Sequence, residues 1–154
     1  MSTYEEVLIN FENKGVEVIE LDLGTNKECG KCIGNMIFIN KNLNTKQKYC
    51  VLIEELGHYY TSTGDITNQN KTTNRKQELI ARRWGYKYII GIVDLINAHR
   101  HGCMYRYEIA EYLGITESFL EETIDYYNCK YENGCEIDNY WINFNSGLHI
   151  FEKF

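Results

Sequence analysis

The segment from Thr45 to about Tyr60 is the feature that most constrains the fold of this chain. Thr45 is a candidate N-cap for a helix that begins there. The apolar residues of the segment fall on more than one side of that helix, as expected for a helix at the centre of a fold: Tyr49, Val51, Leu52, Ile53 and Leu56. We therefore expect the other elements to pack around it.

Hydrophobic periodicity and turn residues predict a mostly helical α+β fold. Besides the central helix, helices are predicted at 3–13, 74–98, 105–113 and 117–128. The first of these begins with Thr3 as its cap, and Glu6 completes a capping box.

Strands are predicted at 16–23 and 35–40. We expect them to pair as a small antiparallel sheet near the N-terminus, across a loop at 24–34. A polar surface loop is predicted at 61–73, and a C-terminal hairpin at 139–154, turning at 145–147.

Charge and composition limit the classes of function. The 154 residues carry a net charge of −6, which argues against the basic face of a general nucleic-acid binder. No apolar run reaches the roughly 18 residues of a membrane span. The N-terminal residues show neither the basic nor the apolar region of a secretory signal. We therefore expect a cytoplasmic protein, with its six cysteines reduced.

Glu54 and His58 are four residues apart on the central helix, so both side chains lie on one face, about one turn apart. Two ligands at this spacing can hold one metal ion, and Glu55 beside them can reach a water on that metal. This is the arrangement of the HExxH metallopeptidases, except that glutamate stands in the place of the first histidine. A glutamate adds negative charge, which weakens the Lewis acidity of zinc and favours harder ions such as manganese or iron(II).

Glu78 is the best candidate for a third ligand. It lies in the first turn of the predicted helix 74–98, and Ala81 and Gly85 lie on the same face of that helix. Small residues there would let the two helices approach closely, which a shared metal requires. The alternative is an ordinary helix with a solvated Glu54-Glu55 pair and a half-buried His58, because such a short string also occurs by chance.

The two segments Glu54-Glu55-Leu56-Gly57-His58 and Glu78-Leu79-Ile80-Ala81-Arg82-Arg83-Trp84 resemble the ImmA/IrrE family of metallo-endopeptidases. That family typically reads HELGH, followed by a helix with a Glu-x-x-Ala-x-x-aromatic pattern. The likeness covers most of 3–128 and is clearest from 36 to 90. It implies a zincin-like fold, zinc as cofactor, Glu54, His58 and Glu78 as ligands, and Glu55 as the catalytic base.

The resemblance also implies a protein substrate, often a helix-turn-helix repressor encoded nearby in a phage or mobile element. Within a single domain spanning 1–154, we expect a catalytic core at 1–103, a helical extension at 104–128 and the hairpin at 139–154. The glutamate at position 54 leaves a second interpretation open, a catalytically weak or silent member that binds a regulator.

Three further features have two interpretations each. Residues 104–128 look like the start of a DNA-binding helix-turn-helix, but the second helix is acidic, which favours packing or partner docking. Cys29 and Cys32 form a CxxC pair, which we interpret as unlinked thiols in a loop rather than a redox or metal site. His99 and His101 are favourable cations at a helix C-terminus or, alternatively, donors near the metal.

Overall fold

The chain has an α+β fold in the computed structural model, which describes residues 3–24, 29–61 and 71–154, without the side chains of 71–74. The elements in chain order are α1 (Tyr4–Glu12), β1 (Glu17–Leu21), β2 (Gly30–Ile33), β3 (Met36–Asn40), α2 (Thr45–Thr61), α3 (Lys71–Tyr88), α4 (Ile92–Arg100), α5 (Arg106–Leu113), α6 (Glu117–Lys130), β4 (Cys135–Ile137), β5 (Tyr140–Asn143) and β6 (His149–Glu152). The predicted fold class is confirmed. Of the predicted loop at 61–73, residues 62–70 lie outside the described part of the chain.

Capping boxes begin the first two helices of the chain. At α1, Thr3 Oγ1 accepts from the Glu6 N–H at 3.3 Å, and the Glu6 carboxylate accepts from the Thr3 N–H at 3.0 Å, as predicted. At α2, the same exchange joins Asn44 and Gln47, at 2.9 and 3.1 Å. Asn44 therefore caps α2, and the prediction of Thr45 is wrong by one residue. Asparagine is the stronger capping residue, and Gln47 completes the box only with Asn44.

The N-terminal sheet differs from its prediction. Its order is β1-β3-β2, with β1 parallel to β3 and β2 antiparallel to β3. The expected antiparallel hairpin of 16–23 with 35–40 is therefore wrong, and part of the predicted loop at 24–34 is strand. The hairpin instead joins β2 to β3 through Gly34 and Asn35, with Gly34 at φ 59°, the conformation that such tight turns need. A four-residue strand with a glycine is too short for periodicity to reveal.

The α2 helix occupies the centre of this N-terminal part of the chain, as predicted. It contacts β2, β3, α1 and α3. Its buried side chains Leu52, Ile53 and Leu56 meet a core that includes Ile37 and Ile39 of β3. Because neighbours cover α2 on several sides, its rotation about its own axis is fixed, and so is the direction in which its polar residues face.

A break at Ile89–Gly91 separates α3 from α4, so the single helix predicted at 74–98 is wrong. Gly91 has extended backbone (φ −81°, ψ 167°), and the Asp94 carboxylate accepts from its N–H at 2.9 Å, which begins a new helix. The apolar periodicity continues across the break, because both helices bury a face. The signal that could have revealed the break was Gly91 itself, since a glycine inside a helix costs about 1 kcal/mol relative to alanine.

Residues 90–154 form a unit with its own core. Its helices α4, α5 and α6 are followed by an antiparallel sheet of order β4-β5-β6. The predicted C-terminal hairpin is confirmed as β5 and β6, with Ser146 and Gly147 at positive φ in the turn, whereas β4 was not predicted. The buried side chains include Leu95, Ile115, Leu120, Ile142 and Phe144.

Clustering of contacts divides the chain into two units, 2–89 and 90–154. This boundary falls at the helix break and differs from the boundary at residue 103 that we drew within the predicted single domain. One domain over 1–154 stays a prediction. None of the helices in the described part of the chain has both the length and the apolar content needed to cross a bilayer.

Candidate metal centre

The second half of α2 carries three of the candidate residues. Glu54 and His58 lie one turn apart on the same face, and Glu55 is the neighbour of Glu54. The opposite faces of these turns are buried in the core through Ile53 and Leu56. Because the core side of α2 is fixed, the polar face has one orientation, and the structure turns it toward α3.

Small residues allow α2 and α3 to approach closely, as predicted. Ala81 is fully buried, and a Cβ added to Gly85 would lie 2.5 Å from Cγ2 of Ile53. The closest approach is at Gly57 of α2, a residue that sequence reasoning missed in this role. A Cβ there would lie only 2.2 Å from the carbonyl oxygen of Ala81. The glycine within Glu-Glu-Leu-Gly-His is therefore the point where the two helices meet.

This approach brings Glu78 of α3 to the polar face of α2. One ligand atom each from Glu54, His58 and Glu78 lies within 4.8 Å of the other two. Nε2 of His58 is 3.3 Å from Oε1 of Glu78. Metal–ligand bonds of about 2.0–2.2 Å put neighbouring ligand atoms of a tetrahedral site roughly 3.3–3.6 Å apart. The three side chains therefore fit a divalent metal ion with small rotations. Their roles as ligands stay a prediction.

Two carboxyls of the site, those of Glu54 and Glu55, have raised pKa values. Burial raises the pKa of Glu55 to about 7, and the charges of Glu54 and Glu78 add to the effect. Burial also raises the pKa of Glu54, against the opposing charge of Arg82, whose Nε lies 3.7 Å from Oε2 of Glu54. A carboxylate with a pKa near neutrality suits a general base at physiological pH. Arg82 was not recognised from the sequence as a neighbour of the site.

A cavity of about 410 Å³ opens over these residues. It is lined by Cys29, Gly30, Val51, Glu54, Glu55, His58 and Glu78. The strand β2 borders it, and Gly30 permits the contact, because a Cβ there would lie 2.4 Å from Cγ1 of Val51. Sequence reasoning missed this wall, since it assigned the segment to a loop.

The cysteines of the CxxC pair are both free, but only Cys29 lies in a loop as predicted, because Cys32 is part of strand β2. Cys29 is exposed and lines the cavity. Cys32 lies in β2, where burial and the charge of Glu55 raise the pKa of its thiol to about 11. A thiol with so high a pKa is protonated at neutral pH and is a poor nucleophile and metal ligand.

The remaining predicted candidates lie in the unit formed by 90–154. His99 is in the last turn of α4 and His101 caps its C-terminus, and both are exposed. The helices α5 and α6 join through Gly114, in the left-handed conformation, and Thr116 caps α6. Nothing in this arrangement assigns a role in DNA binding to 104–128.

The family described as IrrE N-terminal-like domain, peptidase M78, matches residues 11–125, about three quarters of the chain. The chain belongs to the peptidase M78 family. The match agrees with the resemblance read from the sequence and spans all four candidate residues. Comparison with curated proteins and with solved structures finds no significant match.

Membership of the M78 family carries two coarse conclusions. A family of metallopeptidases implies a metal, and the structure contains a cluster of three side chains that fits one. A peptidase family also implies a protein substrate.

Proposed function

We propose that this M78 chain is a metal-dependent endopeptidase in which Glu54, His58 and Glu78 hold the metal and Glu55 is the general base. One observation carries the proposal: a ligand atom from each of the three residues lies within 4.8 Å of the others, beside the partly buried carboxylate of Glu55. A cavity that combines ligand geometry with a perturbed carboxylate is the combination expected of a metallopeptidase site.

Zinc is the proposed metal, with manganese or iron(II) as the alternatives that two carboxylate ligands favour. When bound, the metal would supply the Lewis acidity that polarises a water and the carbonyl of the peptide bond. Glu54 and His58 offer their ligand atoms from adjacent turns of α2, and Glu78 offers its oxygen from α3. The half-buried His58 is held near Glu78, at 3.3 Å, so little rearrangement is needed.

Glu55 performs the proton transfer in this proposal. Its carboxylate takes a proton from the attacking water and gives it to the nitrogen of the leaving amine as the C–N bond breaks. A pKa of about 7 supports both halves of that task near neutral pH, since the group can accept and then release the proton. Burial keeps the carboxylate from being fully hydrated, which is why its pKa is raised.

The substrate in this proposal is an extended segment of a protein partner, and the resemblance suggests a helix-turn-helix repressor. Strand β2 supports an extended peptide, because it is an edge strand of its sheet and borders the cavity. Edge strands present backbone donors and acceptors with which a peptide can pair. A cytoplasmic location stays a prediction.

Metal content tests the ligand assignment. After incubation with zinc and removal of the excess, we expect about one equivalent in the wild type and less than about a tenth in Glu78→Ala, because the loss of one of three ligands opens the site. Glu17→Ala, which removes an exposed glutamate of β1, should keep full occupancy. Less than about a tenth of an equivalent in the wild type, unchanged by Glu78→Ala, would exclude the proposal.

A second function, a silent family member that binds a regulator, is favoured by one observation. Glu54 contacts Arg82, and His58 contacts Glu78, so the cluster also forms satisfied polar pairs without a metal. The variant Glu55→Gln separates the two functions. If partner binding and the cellular effect both persist in this variant, the protein acts by binding; if binding persists and cleavage is lost, it acts as a peptidase.

A further inference from the structure

The charge of the candidate metal site is unusual for its class. In the HExxH arrangement, two neutral histidines come from the first helix. Here α2 supplies Glu54 and His58, and α3 supplies Glu78, so the three ligands carry two negative charges. Two carboxylates and the neighbouring Glu55 repel one another when ionised, and each excess charge weakens the Lewis acidity of a bound metal.

Arg82 lies where it can cancel one of these charges. It follows Ala81, the residue of α3 that meets Gly57, and it is one turn beyond Glu78 on the same helix. Its Nε is 3.7 Å from Oε2 of Glu54, across the interface between α3 and α2. The contact is a partly solvated ion pair, since the guanidinium is 44% exposed.

We propose that Arg82 is a positioning residue that neutralises the charge of Glu54, so that Glu54 and Arg82 together replace the neutral histidine of the HExxH pattern. The inference rests on the proposed metal site. With the pair counted as neutral, the ligand set carries one negative charge, that of Glu78, as in a site with two histidines and one glutamate. Arg82 thus acts on the metal only through Glu54.

The neighbouring Arg83 offers a matched control. It is an exposed arginine of the same helix, one residue further along, so Arg83→Gln removes the same net charge at a different angle around α3. Arg82→Lys keeps the charge and loses the planar fork of donors. Glu54→His removes the carboxylate that Arg82 contacts, and so removes the attraction that keeps the Arg82 side chain at the site.

The experiment measures the affinity of the full chain for zinc by competition with a chromophoric chelator at pH 8, with folding checked by circular dichroism. Removing a cation beside a dication should tighten binding, so we expect Arg82→Gln to bind zinc about three- to tenfold more tightly. The zinc affinities of Arg82→Lys and Arg83→Gln should stay within about twofold of the wild type. The double variant Glu54→His, Arg82→Gln should likewise stay within about twofold of the single variant Glu54→His. The cobalt(II) absorption spectrum should also shift in Arg82→Gln and not in Arg83→Gln, because only the first alters a ligand.

Each outcome decides the inference. Three outcomes would each overturn it while leaving the proposed metal site in place. They are equal zinc affinities for Arg82→Gln and Arg83→Gln, weaker zinc binding in Arg82→Gln, or the same effect of Arg82→Gln in the Glu54→His background as in the wild type. A wild-type chain that holds neither zinc nor cobalt would overturn the proposed function and this inference together.

Discussion

Two glutamates that flank the opposite ends of α2 have opposite surroundings. Glu20 of β1 lies at the start of α2, where it accepts hydrogen bonds from Lys48 at 2.7 Å and from Tyr4 at 2.6 Å. These two donors lower the pKa of its carboxyl. Glu55 lies near the end of α2, where burial and two neighbouring carboxylates raise its pKa to about 7.

The difference separates a structural carboxylate from a candidate functional one. Donors surround Glu20, so its negative charge stabilises the fold and is not available for chemistry. Glu55 is desolvated among like charges, which destabilises its ionised form and makes it a proton acceptor near neutral pH. Changes at each end of α2 should therefore have different consequences, and the following predictions run from the largest to the smallest.

The largest effect is expected from Glu55→Gln. Removing a general base typically costs about 10²- to 10⁴-fold in rate, so cleavage of the partner should fall by at least 100-fold, while zinc content stays near that of the wild type. The measurement is a gel or fluorescence assay of cleavage beside elemental analysis of the same sample. Glu20→Gln is the matched control and should keep the activity. Cleavage retained within about threefold in Glu55→Gln would refute the role of Glu55.

The second effect concerns the helix contact that builds the functional end of α2. In Gly57→Ala the new Cβ would lie 2.2 Å from the carbonyl oxygen of Ala81, which forces α2 and α3 apart. We expect a loss of about 2–3 kcal/mol in the free energy of unfolding, and weaker zinc binding because Glu78 moves away from His58. Urea denaturation measures the loss.

Gly91→Ala is the control for this prediction, because a Cβ at Gly91 would meet its nearest neighbour at an ordinary 3.6 Å. Its stability should change by less than about 1 kcal/mol. If the two variants are equally stable, α2 and α3 do not depend on the close approach at Gly57.

The site was more predictable from the sequence than the sheet was. Ligands on a helix have a fixed spacing, so Glu54, His58 and Glu78 could be predicted together with Ala81 and Gly85, and the structure brings all of these to one helix contact. Strand partners carry no such local signal. β1 and β3 are neighbours in the sheet, but the four-residue strand β2 lies between them in the sequence, and local periodicity could not reveal so short a strand.

The contact of Arg82 and the helix break were missed for a related reason. The contact of Arg82 with Glu54 depends on the rotation of two helices about their axes, and small errors in that rotation move a long side chain by several ångströms. The break at Gly91 falls within a continuous apolar pattern, in which the glycine is a weak local signal, and the hydrogen bond from its N–H to the Asp94 carboxylate shows where the new helix starts. Both the Arg82–Glu54 contact and the position of the helix break therefore depend on the folded structure more than on the local sequence pattern.

The third effect concerns the two thiols near Glu55. With a pKa of about 11, Cys32 is on the order of one part in a thousand thiolate at pH 8, whereas Cys29 is exposed at the cavity. Iodoacetamide should therefore modify Cys29 at least about tenfold faster than Cys32, measured by mass spectrometry of the digested chain. Glu55→Gln should speed the modification of Cys32, since it removes a neighbouring negative charge. Equal rates for the two thiols in the wild type would contradict the burial of Cys32.

The smallest effect is expected at the structural end of α2. Glu20→Gln weakens the hydrogen bonds from Lys48 and Tyr4, and because these groups are partly exposed, the loss should be only about 0.5–1 kcal/mol at pH 7. The pKa of Glu20 is lower in the folded chain than in the unfolded chain, so its contribution is present above the unfolded pKa of about 4.5 and is lost as the pH falls through the folded value.

Urea denaturation of the wild type and Glu20→Gln at pH 7 and at pH 3 checks this prediction. The two chains should differ at pH 7, and the difference should shrink as the pH is lowered toward 3, because the folded wild type loses this contribution as its carboxyl takes up a proton. Glu17→Gln, which changes an exposed glutamate of the same strand, should differ from the wild type by less than about 0.5 kcal/mol at either pH. A difference between wild type and Glu20→Gln that is the same at both pH values would mean that shape, rather than charge, accounts for the role of Glu20, and the contrast with Glu55 would then not be electrostatic.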